Sequence, residues 1–394
     1  MDITDFEFIK DCCYKYLKGK RNRNDVAHMF AKSEGISFER SKFLLKFNDS
    51  KQIDKMVSKI AKEIQITLIT KELNLPPIKY RDHVDVMTKK ERVIGIQKPI
   101  HQIYDYIAVY GMMEVLKKKI GVFQCASIPK RGQSYGKKHI ERWVKNSKKQ
   151  LYFVKGDIKK CFPSISHDLL KKQLRKDIKN DDLIWLLDYL IDMFGNGLSI
   201  GSYLSQYLSN YHLSQSYHYI SNDLYKIRNG KRIRSIEHVL FYMDDFILIG
   251  HNKRELKKSM FKVVSHMKSV LGLEIKPWKI CKFSDNEPID MMGFVFRKNK
   301  TTIRDKIFLK ARQHYLQAFK NLKNIGTIPA NLAHKCISAY GWFKLSDSYK
   351  IKLKHNIDYL HEQCKETISR KARIKDEQHY RKYQKIIISE YLPT

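Results

Sequence analysis

Three aspartates concentrate the chemistry in this sequence. Asp244 and Asp245 are adjacent within Val239-Leu-Phe-Tyr-Met-Asp-Asp-Phe-Ile-Leu-Ile-Gly250, and Asp157 closes Leu151-Tyr-Phe-Val-Lys-Gly-Asp157. Carboxylates held together in a poorly solvated place need cations to offset them, and hard divalent ions prefer such oxygen ligands. Two such ions about 3.5–4 Å apart can activate a 3′-hydroxyl and stabilise a leaving pyrophosphate. The chemistry on offer is therefore metal-assisted phosphoryl transfer. An Asp-Asp pair alone is common in solvated hairpin turns, and one Asp at a strand end is usually structural. The flanks change that balance.

Val239–Tyr242 and Phe246–Ile249 are apolar runs rich in β-branched and aromatic residues, which predicts two buried strands with the acidic pair at the turn between them. Residues 151–157 predict a third buried strand, ending in its own carboxylate. Between them lie a helical pair over 167–194 and the loop Gly197-Leu-Ser-Ile-Gly-Ser-Tyr-Leu-Ser-Gln206, which opens a long helix over Tyr207–Leu224. Arg228-Asn-Gly-Lys-Arg reads as a basic turn. A helix over 255–271, short strands at 280–284 and 291–296, and basic helices from about 305 to 394 complete the chain.

Upstream, residues 1–75 carry apolar residues at helical spacing (Phe6, Ile9, Cys13, Leu17; Met56, Ile60, Ile64) and predict a helical extension. Its basic stretch Lys18–Arg23 reads as a solvated turn. Lys89-Lys-Glu-Arg-Val-Ile-Gly-Ile-Gln-Lys-Pro99 places cations before a short strand, and Ile100–Leu116 predicts a helix. The loop over 124–139 is crowded with Gly, Ser, Lys and Arg, a composition that suits phosphates.

The chain has 394 residues, 43% hydrophobic and 12% aromatic, enough for two or three packed units with real cores. Lys and Arg total 76 against 41 acidic residues, a net charge of +35 that points to a polyanionic partner, most directly nucleic acid. No apolar run is long enough to cross a membrane, and no signal peptide is read. Seven cysteines without metal-type spacing fit a reducing cytoplasm as small buried hydrophobes. His212 and His218 lack a third neighbouring ligand for zinc, and the tyrosines at 203, 207, 211, 217 and 219 read as core or rim, with Tyr203 closest to a substrate.

Tyr242-Met-Asp-Asp245 between two hydrophobic strands resembles the catalytic motif of reverse transcriptases, and the likeness to bacterial members runs over roughly residues 85–350. The resemblance implies an α+β right-hand polymerase with fingers, a ferredoxin-like palm and a helical thumb. Its implied divisions are a helical extension at 1–75, fingers at 76–155, palm at 156–300 with fingers-associated helices at about 167–200, and thumb with basic helices at 301–394. Asp157 and Asp244 would ligate two Mg²⁺ ions, or Mn²⁺ in their place, with Asp245 in support. Phe162, five residues after Asp157, matches the aromatic that excludes a ribose 2′-hydroxyl. Lys90 and Arg92 match cationic contacts to the incoming triphosphate. Ile200, Gly201, Gln206 and Tyr242 line the substrate site, and Met292, Gly293 and Phe294 resemble the hairpin that grips the primer end.

Most reverse transcriptases carry Gln-Gly-x-x-x-Ser-Pro where this chain has Ile200-Gly-Ser-Tyr-Leu-Ser-Gln206. That version, with Ile337-Ser-Ala-Tyr-Gly-Trp-Phe-Lys-Leu-Ser-Asp-Ser-Tyr349, resembles diversity-generating retroelements, which copy a template RNA with errors at adenines. Retron hallmarks are not found. The implied partners are template RNA, nascent cDNA and dNTPs, with a non-coding RNA or a small accessory protein as further candidates. The alternatives are an antiphage-defence reverse transcriptase making DNA from a non-coding RNA, a non-catalytic nucleic-acid-binding protein on the same fold, and a metal-dependent nuclease.

Overall fold

The computed structural model describes residues 2–47, 50–84 and 91–391, with side chains to residue 381. The chain divides into two compact units, residues 1–132 with 154–280 and residues 133–153 with 281–394.

The first unit begins with helices α1 (Phe6–Leu17), α2 (Asn24–Glu34), α3 (Phe38–Phe47) and α4 (Ser50–Thr70). Asp5 caps α1 by accepting from the Phe8 amide at 2.8 Å, satisfying a donor that the helix itself cannot. The apolar stripe of α1, Ile9, Cys12, Cys13, Tyr16 and Leu17, packs on α4 and on a later helix, α5 (Pro99–Gly111). The extension is thus part of the unit's core. Lys20, expected in a solvated turn, is half-buried. Its ammonium lies 4.2 Å from the Tyr16 ring centroid and donates to Tyr106 Oη at 3.2 Å, and burial lowers its pKa to about 8. The turn folds back because ring faces there attract a cation.

β1 (Lys79–Val84) and β2 (Glu91–Ile96) form an antiparallel ribbon. β1 was not expected, because all its residues are exposed and no burial imprints an apolar alternation. The helix expected over 100–116 is two, α5 and α6 (Met113–Lys119), broken at Met112 after Gly111, where Ile3 and Leu183 crowd the backbone. β3 (Gln124–Cys125) follows, and α7 (Gln133–Asn146) belongs to the second unit. Next come β4 (Tyr152–Asp157), the short α8 (Cys161–Ser164), α9 (His167–Asp177), α10 (Asp181–Asp192) and α11 (Tyr203–His218). α11 ends in a π turn, Tyr219–Asp223, so it starts and stops earlier than the apolar pattern suggested. The expected basic turn is a projecting hairpin of β5 (Tyr225–Arg228) and β6 (Lys231–Arg234). β7 (His238–Tyr242), β8 (Asp245–Gly250), α12 (Lys253–Leu271) and β9 (Ile280–Lys282) complete a sheet of order β3-β7-β8-β4-β9.

In the second unit β10 (Ile289–Met291), β11 (Phe294–Phe296) and β12 (Thr301–Ile303) form an antiparallel sheet. The strand expected over 291–296 is folded into a hairpin at Met292 and Gly293, the hairpin that the likeness at 292–294 implied, because both adopt positive φ, 53° and 82°. Helices α13 (Asp305–Ile325), α14 (Ala330–Lys344), α15 (Tyr349–Lys354) and α16 (Ile357–Tyr391) enclose a core of Tyr315, Cys336, Phe343, Leu360 and Cys364. All seven cysteines are buried. Among the described residues no helix is long and apolar enough to cross a membrane.

Candidate active site

β7 and β8 pair with Phe241 opposite Phe246 and Tyr242 opposite Asp245, leaving Met243 and Asp244 as a two-residue turn. Met243 holds φ at 56°, a conformation costly for a side-chain-bearing residue and tolerated where its surroundings fix it. Leu240, Phe241, Phe246, Ile247 and Leu248 are fully buried, so the turn that carries the acidic pair is rigidly rooted. Asp244 stands in the turn and Asp245 begins β8.

Asp157 reaches the same place through β4, the next strand in the sheet. The Ile158 amide donates to the Asp244 carbonyl at 3.1 Å, tying the end of β4 to the turn. Gly156 permits the approach, since a Cβ there would overlap the Phe246 ring. The three carboxylates therefore converge, and their charges act together on one ammonium. Lys276 Nζ lies 2.7 Å from Asp157 Oδ1. That contact first, then the charges of Asp157, Asp244 and Asp245, holds the Lys276 pKa above its usual value. The contact is close but poorly aligned, so Asp157 Oδ1 remains a buried oxygen with no well-directed hydrogen-bond donor. A buried carboxylate oxygen whose neighbour is an ammonium fits a site built for cations. Among the described residues no three His, Cys, Asp or Glu side chains stand grouped so as to hold a metal ion by themselves. The site is open, as expected where hard divalent ions share their ligands with substrate phosphates.

Phe162, on α8, is half-buried and adjoins the 197–206 loop. Its carbonyl accepts from the Leu198 amide at 2.8 Å, and a Cβ at Gly197 would lie 2.5 Å from the Pro163 carbonyl. Ile200 is half-buried, and its carbonyl accepts from the Gly95 amide on β2 at 2.8 Å. A Cβ on Gly201, where φ is 110°, would lie 2.8 Å from the Gly95 carbonyl, so this clamp needs its glycine. Gln206 is half-buried on α11, its carbonyl accepting from Asn210 Nδ2 at 3.0 Å. Tyr242 is also half-buried, paired with Cys125 of β3, and burial raises its phenol pKa.

Asp157, Asp244, Asp245 and Tyr242 thus gather at one end of the sheet, while Phe162, Ile200, Gly201 and Gln206 share one linked loop system. Arg92 is exposed on β2 opposite His83, and Lys90 lies outside the described residues. Met292, Gly293 and Phe294 belong to the second unit. The Met292 carbonyl accepts from Gln133 Nε2 at 2.6 Å, and Phe294 is fully buried 5.2 Å from Trp342. His212 is buried between Gln173 and the Leu271 carbonyl, and His218 contacts the Lys119 carbonyl, so both are structural.

Three contributors had no sequence signal strong enough to find them. Lys276 is one of 76 basic residues, with nothing local to single it out. Asp105 is fully buried in α5 and accepts from Ser202 Oγ at 2.8 Å and the Leu204 amide at 3.2 Å, anchoring the start of α11. Burial raises its pKa to about 6, against those hydrogen bonds and one from Gln97. Asn210 Nδ2 contacts Met243 Sδ at 3.4 Å and the Ala126 carbonyl at 3.3 Å, bracing the turn from α11.

Residues 78–296 match the family model described as reverse transcriptase (RNA-dependent DNA polymerase). No curated protein matches the chain. Similar solved structures include apo telomerase from Candida tropicalis truncated from its C-terminal domain, at 15% identity and TM-score 0.43, covering 68% of this chain and 72% of that one. Telomerase from Candida tropicalis in complex with the TWJ fragment of telomeric RNA aligns at 14% identity and TM-score 0.43, over 79% of this chain and 65% of that one. Telomerase from Candida albicans in complex with the same kind of fragment aligns at 13% identity and TM-score 0.45, over 75% and 60%.

Proposed function

Because the chain belongs to the reverse transcriptase (RNA-dependent DNA polymerase) family, we propose that Asp157, Asp244 and Asp245 form its nucleotidyl-transfer site and extend a primer on a bound RNA template with dNTPs. The observation that carries this reading is the convergence of β4 and the β7–β8 turn, held by the Ile158–Asp244 hydrogen bond beside Lys276. Asp157 and Asp244 would hold divalent cations, two Mg²⁺ or Mn²⁺ in their place, with Asp245 in support. Such ions lower the pKa of a primer hydroxyl and offset charge on the departing pyrophosphate. The rigid strand pair keeps the carboxylates in register, and Lys276 moderates their mutual repulsion. Phe162 forms the floor of the sugar pocket, the Gly95–Ile200 clamp fixes the loop under the nascent pair, and Arg92 with Lys90 meets the triphosphate. Met292, Gly293 and Phe294 are assigned to the primer grip. In right-hand terms, residues 76–155 are fingers, 156–300 palm and 301–394 thumb, in a protein working in the cytoplasm. Primer extension on an RNA template tests the assignment. Near-normal synthesis by Asp244→Asn would sink it.

The finer reading is low-fidelity copying of a template RNA in a diversity-generating retroelement, supported by Ile200 in the Ile-Gly-x-x-x-Ser-Gln loop. An isoleucine side chain offers no hydrogen bond to the nascent pair. A polar contact there is worth about 0.5–1.5 kcal/mol, or roughly a few-fold to tenfold in error rate. Ile200→Gln should therefore lower the error rate, read by sequencing cDNA from one defined template. Equal error spectra would favour the defence reading, in which DNA is made from an associated non-coding RNA.

A further inference from the structure

Among the described residues the β5–β6 hairpin pairs with no other strand, and it stands outside the sheet that carries the aspartates. Its sequence, Tyr225-Lys-Ile-Arg-Asn-Gly-Lys-Arg-Ile-Arg234, holds five cations and no acid. Asn229 and Gly230 both take positive φ, 50° and 72°, the type I′ geometry that makes a tight, twisted ribbon. The register sets the faces. Tyr225 pairs with Arg234 and Ile227 with Arg232 on one side, and Lys226 pairs with Ile233 and Arg228 with Lys231 on the other. Cations therefore project from both faces of the ribbon.

Arg228 and the whole of β6 are exposed, and Ile227 is 69% exposed. Lys226 reaches Glu255 at 3.5 Å, whereas among the described residues no carboxylate pairs with Arg228, Lys231, Arg232 or Arg234. The Arg232 guanidinium lies 4.6 Å from the Tyr225 ring centroid. At the hairpin's root a cleft of about 500 Å³ is lined by Lys117, Lys118, Arg131, Ser221, Asn222 and Arg234. The ribbon leads into β7 at His238, the end of that strand remote from Tyr242 and the acidic turn. Four strand steps of about 3.3 Å separate the two ends.

We infer that this hairpin and the cleft at its root form a docking surface for a folded RNA, a stem interrupted by a bulge, separate from the polymerisation site. A partner lying flat against the ribbon would meet cations on one face alone. Two phosphate strands running on either side of it meet them on both, and a groove opened by a bulge has that form. The Tyr225–Arg232 pair and exposed Ile227 then receive the unpaired base, since aromatic and guanidinium planes stack on splayed bases. The surface reads backbone shape rather than sequence. This inference rests on the RNA-copying function proposed above, as it commits the duplex to RNA.

The test uses the full chain and three probes: a synthetic RNA stem-loop with an internal bulge, a single-stranded RNA of equal length, and a DNA duplex. The triple variant Arg228→Ala, Lys231→Ala, Arg234→Ala is compared with Lys51→Ala, Lys55→Ala, Lys62→Ala, which removes equal charge from exposed positions of α4. The hairpin variant should lose about tenfold or more in stem-loop affinity, and its log–log salt slope should fall by about 2–3. The α4 variant should change little, and both should extend a primer on an unstructured template at the parental rate. Lys231→Glu, a single exposed change, should show the same ordering. Equal losses in both triple variants, or a loss confined to single-stranded RNA or the DNA duplex, would overturn the inference. If the parent binds the stem-loop through the hairpin yet extends no primer, the polymerase reading fails while the docking surface stands.

Discussion

A single methyl group at Gly156 probes how the catalytic aspartates are held. In Gly156→Ala the new Cβ would overlap Phe246, and even the most distant of the three nearest ring atoms would lie at 2.7 Å. Carbon atoms rest at about 3.5–4 Å, so the ring or β4 must yield by about 1 Å or more. Phe246 cannot retreat freely, being fully buried and stacked on Phe241 with ring centroids 5.0 Å apart. Overpacking of this kind costs about 1–3 kcal/mol of stability. A displacement of about 1 Å between reacting groups costs on the order of a hundredfold in rate. Single-turnover primer extension should therefore slow far more than the urea midpoint falls. Phe246→Leu in the same chain should restore space and recover much of the rate, a coupling that a double-mutant cycle measures. Full activity in Gly156→Ala would refute the close apposition of β4 and β8. Lost activity in a folded protein that Phe246→Leu does not rescue would refute the steric account.

Asp157→Asn and Asp244→Asn should abolish primer extension while leaving the circular dichroism spectrum unchanged, with Asp245→Asn less damaging; a folded Asp157→Asn variant with parental activity would break the assignment. Phe162→Ala should admit ribonucleotides, and undiminished discrimination would make Phe162 a packing residue only. Lys276→Gln removes a cation that competes at Asp157. As partly exposed pairs are worth about 0.2–1 kcal/mol, Mn²⁺ affinity of the substrate-free protein should rise up to about fivefold, and a weaker affinity would contradict the competition. Burial holds the His212 pKa down at about 4 from 6.5, so the unfolded chain takes up a proton that the folded chain refuses. Its contribution is present above pH 6.5 and is lost as pH falls toward 4, by about 3 kcal/mol at most. Asp105, raised to about 6, works in the opposite sense over the same window, so the pair partly cancels in the parent. The destabilisation caused by His212→Gln should accordingly be smaller at pH 4.5 than at pH 7.5 in urea titrations, and a larger one at low pH would reverse the sign of the argument.

What was legible in the sequence followed burial. The β7–β8 hairpin announced itself because both strands are apolar along their length, and α1 and α4 because their stripes face one core. β1 and the β5–β6 hairpin stayed hidden because exposed ribbons carry no alternation, and the latter's cations were read as a turn. Lys276, Asp105 and Asn210 were missed for a different reason. Each acts through contacts across 33 residues or more, as Asn210 does to Met243, and local sequence does not encode such pairings. Lys20 shows the converse error, since a basic stretch reads as solvated until the rings that receive it are known.

The packing of α1 and α2 on α5 separates two things that are easily equated: the segment shared by descent and the segment that folds. The shared stretch, residues 78–296, starts after the helices that cover α5 and stops at the end of β11, before its partner β12. A protein cut at those limits would bare α5, buried at Ile103, Tyr104, Ile107, Ala108 and Val109, and would leave β11 without β12. An unpaired strand edge and an uncovered apolar helix each invite self-association. In this protein the inherited module is not a detachable one, because the helices that cover its apolar face lie in sequence outside it.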